Sequence, residues 1–278
     1  MISEDTRTLL TLGLFLMVVA VLAAYWQRRL SQPRPPDGLP PWRASAIDFC
    51  LWLWILWCVL FLSHLAQSPL TSGLPEDSLF VVVASGLVAQ IAFLATQLFL
   101  LKRVPALSSR PLDTSVLSHP QAALGGFLDF LIALPFIVAA SFCWEKMLDL
   151  LKYFDPSLTT PAQEPVLLFL QGGSPGLLAL LAFMAIVLAP ANEELIFRGG
   201  LYRFLKSRCR PSVALLCSSL LFGLAHFNLR QFLPLVLIGV FLVRTYERTG
   251  RIIAPMVFHA SFNAVNIVLL LLSPTTDG

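Results

Sequence analysis

Eight runs of apolar residues, long enough or nearly long enough to cross a lipid bilayer as helices, restrict the fold of this chain more than any other feature. A bilayer core needs about 20 apolar residues in α-helical form, and lipid offers the backbone no partner outside the helix itself. The chain is 57% hydrophobic and 13% charged, whereas soluble domains are about 25% charged. We therefore predict an all-α, polytopic integral membrane protein with about eight transmembrane helices. The predicted spans are Leu9–Trp26, Ile47–Ala66, Ser78–Leu101, Gly125–Trp144, Leu177–Phe197, Ser212–Phe227, Phe232–Arg244 and Ile252–Leu272.

The distribution of lysine and arginine predicts which side of the membrane each loop faces. Fifteen of the 19 basic residues follow the first, third, fifth or seventh run, and the other four are Arg7, Lys146, Lys152 and Arg230. Because cytoplasmic loops carry an excess of these residues, we expect the four basic loops in the cytoplasm and both termini outside. The N-terminus is acidic before its apolar run, so we read the first run as a retained helix rather than a secretory signal.

Two breaks in the apolar pattern suggest how the chain is divided. The stretch Pro33–Pro41 is rich in proline and reads as an extended linker. A second break, Val104–Pro120, separates the first three runs from the other five. We predict an N-terminal three-helix region, 1–120, and a C-terminal five-helix region, 121–278.

Three polar clusters interrupt the apolar runs of the C-terminal region. Ionisable groups in hydrocarbon are energetically unfavourable, so they are rare there and usually face a functional interior. Together the clusters supply two carboxylates, a guanidinium, two imidazoles and an amide, which are the groups of a hydrolytic site. The clusters are Glu193-Glu194 with Arg198, Phe222 with His226, and His259 with Asn263.

The spacing of the first two clusters predicts that they meet. If the loop Ser207–Arg210 is the tip of a helical hairpin, Glu193 lies 13 residues before the hairpin turn and His226 lies 15 after it. At about 1.5 Å per residue both are about 20 Å from the tip, hence at one height. Glu193 is then available as a general base that shares a water with His226.

The remaining polar residues have local partners at helical spacing. Glu194 and Arg198 are four residues apart and form the expected ion pair of one helix face, so we assign them an orienting role. His259 and Asn263 are also one turn apart, and their donors suit a developing oxyanion.

Other interpretations of the same residues are a non-catalytic membrane scaffold or immunity factor, and a small proton-coupled transporter. Each cluster alone favours a merely structural role, but three in consecutive segments favour a site. No internal repeat of the kind common in transporters is visible. Asp129 is a further intramembrane acid without an evident partner, and we treat it as structural. Pro190 directly precedes the glutamates and is expected to open the backbone beside them.

The three motifs resemble those of a known family. The sequence ANEELIFRG contains Glu-Glu-x-x-x-Arg, FGLAH contains Phe-x-x-x-His, and HASFN contains His-x-x-x-Asn. In this order and spacing they resemble the CAAX protease and bacteriocin-processing family of intramembrane endopeptidases, also called the abortive-infection family. The resemblance covers about residues 165–270, while the first 120 residues resemble nothing that we can name.

The resemblance implies a helical core with a conical cavity open to the cytosol and the lipid. It implies that Glu193 and His226 activate water, that His259 and Asn263 stabilise the tetrahedral intermediate, and that Glu194 and Arg198 support the site. Eukaryotic relatives remove the last three residues of prenylated CAAX proteins, whereas bacterial relatives act in bacteriocin maturation, immunity or envelope pathways. The expected partners are therefore the lipid bilayer and a membrane-embedded or lipidated protein or peptide substrate, with no nucleic acid.

The resemblance leaves the cofactor open. The family is often described as metalloendopeptidases, and two histidines with a glutamate would be able to bind a divalent metal such as zinc. The sequence contains no His-Glu-x-x-His motif, and the same residues account for a mechanism without metal. The compact chain and its short loops indicate a bacterial protein of the inner (cell) membrane.

Overall fold

The structure is a computed structural model, and it describes residues 39–42, 44–71, 78–103, 117–160, 164–170 and 172–272. All regular elements within these ranges are helical. The helices are α1 (Ala46–Thr71), α2 (Leu79–Arg103), α3 (His119–Phe154), α4 (Glu164–Leu170), α5 (Pro175–Lys206), α6 (Pro211–Leu224), α7 (Phe232–Thr249) and α8 (Ile253–Leu272), with a 3₁₀ turn at Leu229–Gln231.

Six of these helices, namely α1, α2, α3, α5, α7 and α8, are long and apolar enough to span a membrane. The prediction of an all-α polytopic membrane protein is thereby confirmed. The predicted span Leu9–Trp26 lies outside the described residues. The predicted span Ser212–Phe227 becomes α6, which has only 14 residues and is shorter than the roughly 20 that a bilayer core requires.

Several helices extend beyond the apolar runs that predicted them. Helix α3 begins six residues before the predicted Gly125 and has 36 residues, which corresponds to about 54 Å of helix. Ser118 fixes its start, because the Ser118 side chain and Gln121 cap each other's backbone N–H groups. Apolarity alone therefore underestimated the length of this helix. Its C-terminal turns, from Glu145 to Lys152, include four charged residues.

Helix α5 carries the two glutamates and is not a regular α-helix. Two stretches of it, Met184–Leu188 and Leu195–Tyr202, have the wider π-helical turn, and they flank the short α-helical segment Ala189–Glu194. Pro190 lies in that segment and has no N–H to give to the preceding turn. Wider turns of this kind often occur at functional sites because they re-aim side chains, and here they frame the predicted site on both sides.

The core of the C-terminal region forms where α3, α6, α7 and α8 pack together. Its buried residues include Phe130 on α3, Phe222 on α6, Ile238 on α7 and Phe258 on α8. Helices α6 and α7 approach closely at Gly239, where an added Cβ would lie 2.9 Å from Cα of Ser219. Small residues permit such close contact between membrane helices, and this contact brings the end of α6 beside α5 and α8.

The segment just before α1 lies against the end of α5. Nζ of Lys206 donates to the carbonyl of Leu39 at 2.8 Å, and the guanidinium of Arg203 donates to the carbonyl of Pro40 at 3.0 Å. The backbone N–H of Trp42 in turn donates to the carbonyl of Arg203 at 2.8 Å. Lys206 also pairs with Glu247 of α7. The basic end of α5 is therefore held by the chain that leads into α1.

Candidate active site

Glu194 lies at the centre of the polar cluster and is completely buried. Its Oε1 accepts a hydrogen bond from Nη1 of Arg198 at 3.0 Å, which confirms the ion pair expected from their spacing. The same oxygen lies 2.9 Å from Nδ1 of His259, a contact between residues 65 positions apart that the sequence did not predict. Glu194 therefore balances the buried Arg198 and also fixes the imidazole of His259.

Glu193 points away from Glu194 and into a cavity, since its side chain remains 29% exposed. Its Oε2 lies 3.7 Å from Nε2 of His226 and 4.0 Å from Nε2 of His259. These separations are too long for direct hydrogen bonds, and polar groups at such distances are often bridged by a water. Oε2 has no hydrogen-bond partner among the described residues. The structure thus places Glu193 beside both histidines. One of them is His226, which the sequence predicted to lie at the same height as Glu193.

The orientation of each imidazole is set by its Nδ1 atom. Nδ1 of His226 lies 2.8 Å from the carbonyl oxygen of Phe222, and Nδ1 of His259 lies beside the Glu194 carboxylate. An acceptor at Nδ1 places the ring proton on that nitrogen and leaves Nε2 of a neutral imidazole as the acceptor. Both rings therefore direct Nε2 towards Glu193.

Asn263 is positioned by the carbonyl of Ala185, which the π turn and Pro190 together leave without a backbone donor. The N–H of Ala189 donates to the carbonyl of Met184, one residue earlier than in a regular α-helix, and the next residue is a proline without an N–H. The carbonyl of Ala185 accepts instead from Nδ2 of Asn263 at 2.7 Å. Pro190 therefore does open the backbone, as predicted, and Asn263 retains a second N–H for a ligand.

Phe222 joins the cluster through its ring. The ring packs edge-on against His226 and against His259, with centroids 4.8 Å and 5.7 Å apart. The guanidinium of Arg198 lies over the same ring at 4.2 Å, within the range of a cation–π interaction. The phenylalanine of the second motif therefore holds both imidazoles and the arginine in position.

The cavity beside these residues has a volume of about 660 Å³. Glu193, His226, His259 and Asn263 all line it. Much of the remaining wall is apolar and comes from α2, α4, α5 and α8. Sites that bind a small ligand or a chain segment commonly combine such an apolar wall with a few converging polar groups.

Asp129, which the sequence left without a partner, does have partners. Its Oδ2 accepts from the Thr245 hydroxyl at 2.9 Å and from the Arg248 guanidinium at 2.5 Å. Arg248 also donates to the carbonyl of Gly125 at 3.2 Å. The interpretation of Asp129 as a structural residue is supported. The expectation that it has no partner was wrong, and sequence spacing did not reveal the partner because Arg248 comes from α7, 119 positions away.

The arrangement of the same side chains bears on whether the site can hold a divalent metal. Within the described ranges, no group of three or more His, Cys, Asp or Glu side chains is arranged to hold a metal ion. The residues as placed do not fit such a site, and no step derived below passes through a metal. A requirement for zinc or another divalent metal stays a prediction.

The sequence comparisons are consistent with this geometry. Residues 175–265 match the family described as type II CAAX prenyl endopeptidase, Rce1-like, and this range contains all seven residues of the three motifs. About a third of this polytopic membrane protein is therefore similar to that family, over the stretch that contains the polar cluster.

The chain is also similar to YdiL of Bacillus subtilis (strain 168), which is described as a candidate membrane peptidase. The two are 30% identical over 98 residues, a stretch that covers 35% of this chain and 40% of YdiL. No solved structure matches the chain significantly. Neither match supports assignment to the metalloendopeptidases.

Proposed function

We propose that this protein is an intramembrane endopeptidase that hydrolyses peptide bonds of membrane-associated or lipidated protein substrates. The observation that carries the proposal is the convergence of one partly exposed carboxylate and two oriented imidazoles, Glu193, His226 and His259, in a largely apolar cavity. The matched family is described as type II CAAX prenyl endopeptidases, and the similar Bacillus subtilis protein is described as a candidate membrane peptidase. A site of this kind in the bilayer is suited to a substrate that already resides in or on the membrane.

The first step is the activation of water. A water bound to Glu193 Oε2 would bridge to an imidazole Nε2, because the gaps to His226 and His259 are 3.7 and 4.0 Å. Glu193 takes a proton from this water while the water oxygen bonds to the carbonyl carbon of the substrate. The π electrons of the carbonyl move to its oxygen, which becomes an oxyanion.

The second step is stabilisation of that oxyanion. Asn263 supplies the N–H that it does not donate to Ala185. His259 contributes Nε2–H in its doubly protonated form; the ring brings that proton from solvent and keeps it through the step, and the Glu194 carboxylate at Nδ1 stabilises the imidazolium. Donors held in advance in a water-poor site stabilise a developing charge more strongly than donors in water. Protonated Glu193 then delivers its proton to the leaving nitrogen as the carbon–nitrogen bond breaks.

Substrate class follows from the wall of the cavity. A volume of about 660 Å³ with mostly apolar lining accommodates a segment of apolar peptide or a lipid chain more readily than a free polar peptide. This favours transmembrane or lipidated substrates over soluble ones. A bacterial inner-membrane location, with the basic loops in the cytoplasm, is part of the same proposal.

The test uses purified protein in liposomes and a panel of fluorescence-quenched peptides. One half of the panel carries an S-farnesyl cysteine near the C-terminus, and the other half consists of unmodified transmembrane peptides. We expect Glu193→Gln to lower kcat by about 10²–10⁴-fold, the usual contribution of a general base, without loss of folded protein. Glu145→Gln is the matched control, because Glu145 is half-exposed, pairs with Arg230 and does not line the cavity.

Cleavage of no peptide by wild-type protein, or full activity in Glu193→Gln, would contradict the proposal. The scaffold and transporter interpretations are separated by the same experiment. A scaffold needs the fold but not the carboxylate, so Glu193→Gln would keep its biological output. A proton-coupled transporter would show proton movement across the liposome membrane without peptide cleavage.

A further inference from the structure

Helix α2 lies outside the region that matches the peptidase family, yet it forms one wall of the site cavity. Val82, Val83, Gly86 and Gln90 of α2 line the same cavity as Glu193 and His226. Three of these residues are apolar or lack a side chain. Gln90 is therefore the polar group that α2 presents to the cavity.

The contact between α2 and α5 is fixed next to the proposed base. Asn192, which immediately precedes Glu193, donates from Nδ2 to the backbone carbonyl of Gln90 at 3.1 Å. Its Oδ1 accepts from Nε2 of Gln97 at 2.9 Å, in a buried contact. One side chain of α5 thus holds two points of α2 that are two turns apart, and it sets the position of Gln90 relative to Glu193.

The side-chain oxygen of Gln90 takes part in no hydrogen bond within the described part of the chain. This atom, Oε1, is buried. A buried acceptor without a donor is unfavourable, and most buried polar groups are therefore paired. Among the fully buried side-chain oxygens of the described residues that line the cavity, the two that lack a donor are Gln90 Oε1 and Glu193 Oε2. Glu193 is accounted for by the reaction, and Gln90 is not.

We infer that Gln90 is a substrate-positioning residue, whose Oε1 accepts a hydrogen bond from a backbone N–H of the bound peptide. A peptide in a largely apolar cavity brings N–H groups that have lost their water, and such groups need an acceptor. A backbone contact of this kind aligns the chain against Glu193 without selecting a particular side chain. This inference rests on the proposed endopeptidase function and adds the N-terminal helices to its site.

The experiment measures binding separately from cleavage. The panel peptides, farnesylated and unmodified, are titrated by fluorescence anisotropy into the Glu193→Gln protein in detergent micelles. The best-bound peptide is then resynthesised as a series in which each backbone amide in turn is replaced by an ester, which removes one N–H. Each member is measured with Glu193→Gln alone and with Glu193→Gln combined with Gln90→Met.

We expect Gln90→Met to weaken binding of the all-amide peptide by about tenfold, in line with a hydrogen bond to a buried acceptor. In the protein that keeps Gln90, we expect the ester at one position to weaken peptide binding by a similar factor. In the protein with Gln90→Met, the same ester should weaken binding no further. Gln67→Met is the matched control, because Gln67 donates to Ser63 within α1 and does not line the cavity. It should leave every member of the series unchanged.

Thermal unfolding separates positioning from a structural role. Because Gln90 Oε1 has no partner, Gln90→Met should be as stable as wild type or more stable. Failure of Gln90→Met to fold would show that Gln90 supports the helix packing, and would overturn the inference. Identical ester effects with and without Gln90 would also overturn it, as would binding of no panel peptide. If peptides bind with this pattern but wild-type protein cleaves none, the inference stands and the endopeptidase proposal fails.

Discussion

Replacing Arg198 by methionine tests whether the buried network around Glu194 is balanced by this one arginine. Methionine is unbranched and reaches most of the way along the arginine side chain but brings no charge, so Arg198→Met leaves the fully buried Glu194 carboxylate with His259 as its partner. Breaking a buried ion pair by removing one partner typically lowers stability by about 3–5 kcal/mol. Loss of the contact with the Phe222 ring at 4.2 Å acts in the same direction.

The assay is unfolding by sodium dodecyl sulfate in mixed micelles, followed by tryptophan fluorescence. We expect the free energy of unfolding to fall by at least about 3 kcal/mol. The double variant Glu194→Gln with Arg198→Met removes both charges and should be more stable than Arg198→Met alone. Arg210→Met is the control, because Arg210 is exposed at the start of α6, where substitutions usually change stability by less than about 0.5 kcal/mol. Equal losses in Arg198→Met and Arg210→Met would refute the reasoning.

Four further outcomes are expected. Asn263→Ala should lower kcat by about 10²–10³-fold with little change in substrate binding, because its free N–H acts mainly on the oxyanion; an unchanged kcat would contradict this. Pro190→Ala should raise stability yet lower kcat, since Ala185 regains a helical donor that competes with Asn263; unfolding and cleavage are measured on one preparation. Asp129→Asn should lower the free energy of unfolding by about 3 kcal/mol while the folded fraction keeps its kcat. Arg210→Cys and Ser157→Cys, each in a background without native cysteines, should label from opposite sides of the membrane; labelling from one side would refute the assigned orientation.

Helix positions and the local ion pair were readable from the sequence because both depend on neighbours along the chain. The apolar runs predicted six of the long helices, since burial in lipid requires about 20 consecutive apolar residues. The pair Glu194–Arg198 followed from one helical turn of spacing, and the structure places the two atoms 3.0 Å apart. The ends of the helices were less predictable. Helix α3 continues far past its apolar run, because capping by Ser118 and polar terminal turns extend a helix without adding hydrophobicity.

The contacts between helices were not readable in the same way. His259 to Glu194, Asp129 to Arg248 and Asn192 to Gln97 each join residues at least 65 positions apart. A soluble helix shows which face is buried by an apolar stripe. These helices are apolar on nearly all sides, so no stripe indicates which side meets a neighbour and which side meets lipid.

The sequence by itself determined that this chain is a helical membrane protein with three polar motifs on its last helices, and it determined the pairing of residues one turn apart. Tertiary structure alone decided that Glu194 holds His259, that Pro190 frees a carbonyl for Asn263, and that α2 closes the cavity with Gln90. The physical reason is that spacing along one helix fixes side-chain direction relative to that helix, whereas the rotation and depth of each helix against its neighbours come from packing. Close contacts at small residues such as Gly239 set that packing, and they bring together groups that no local pattern connects.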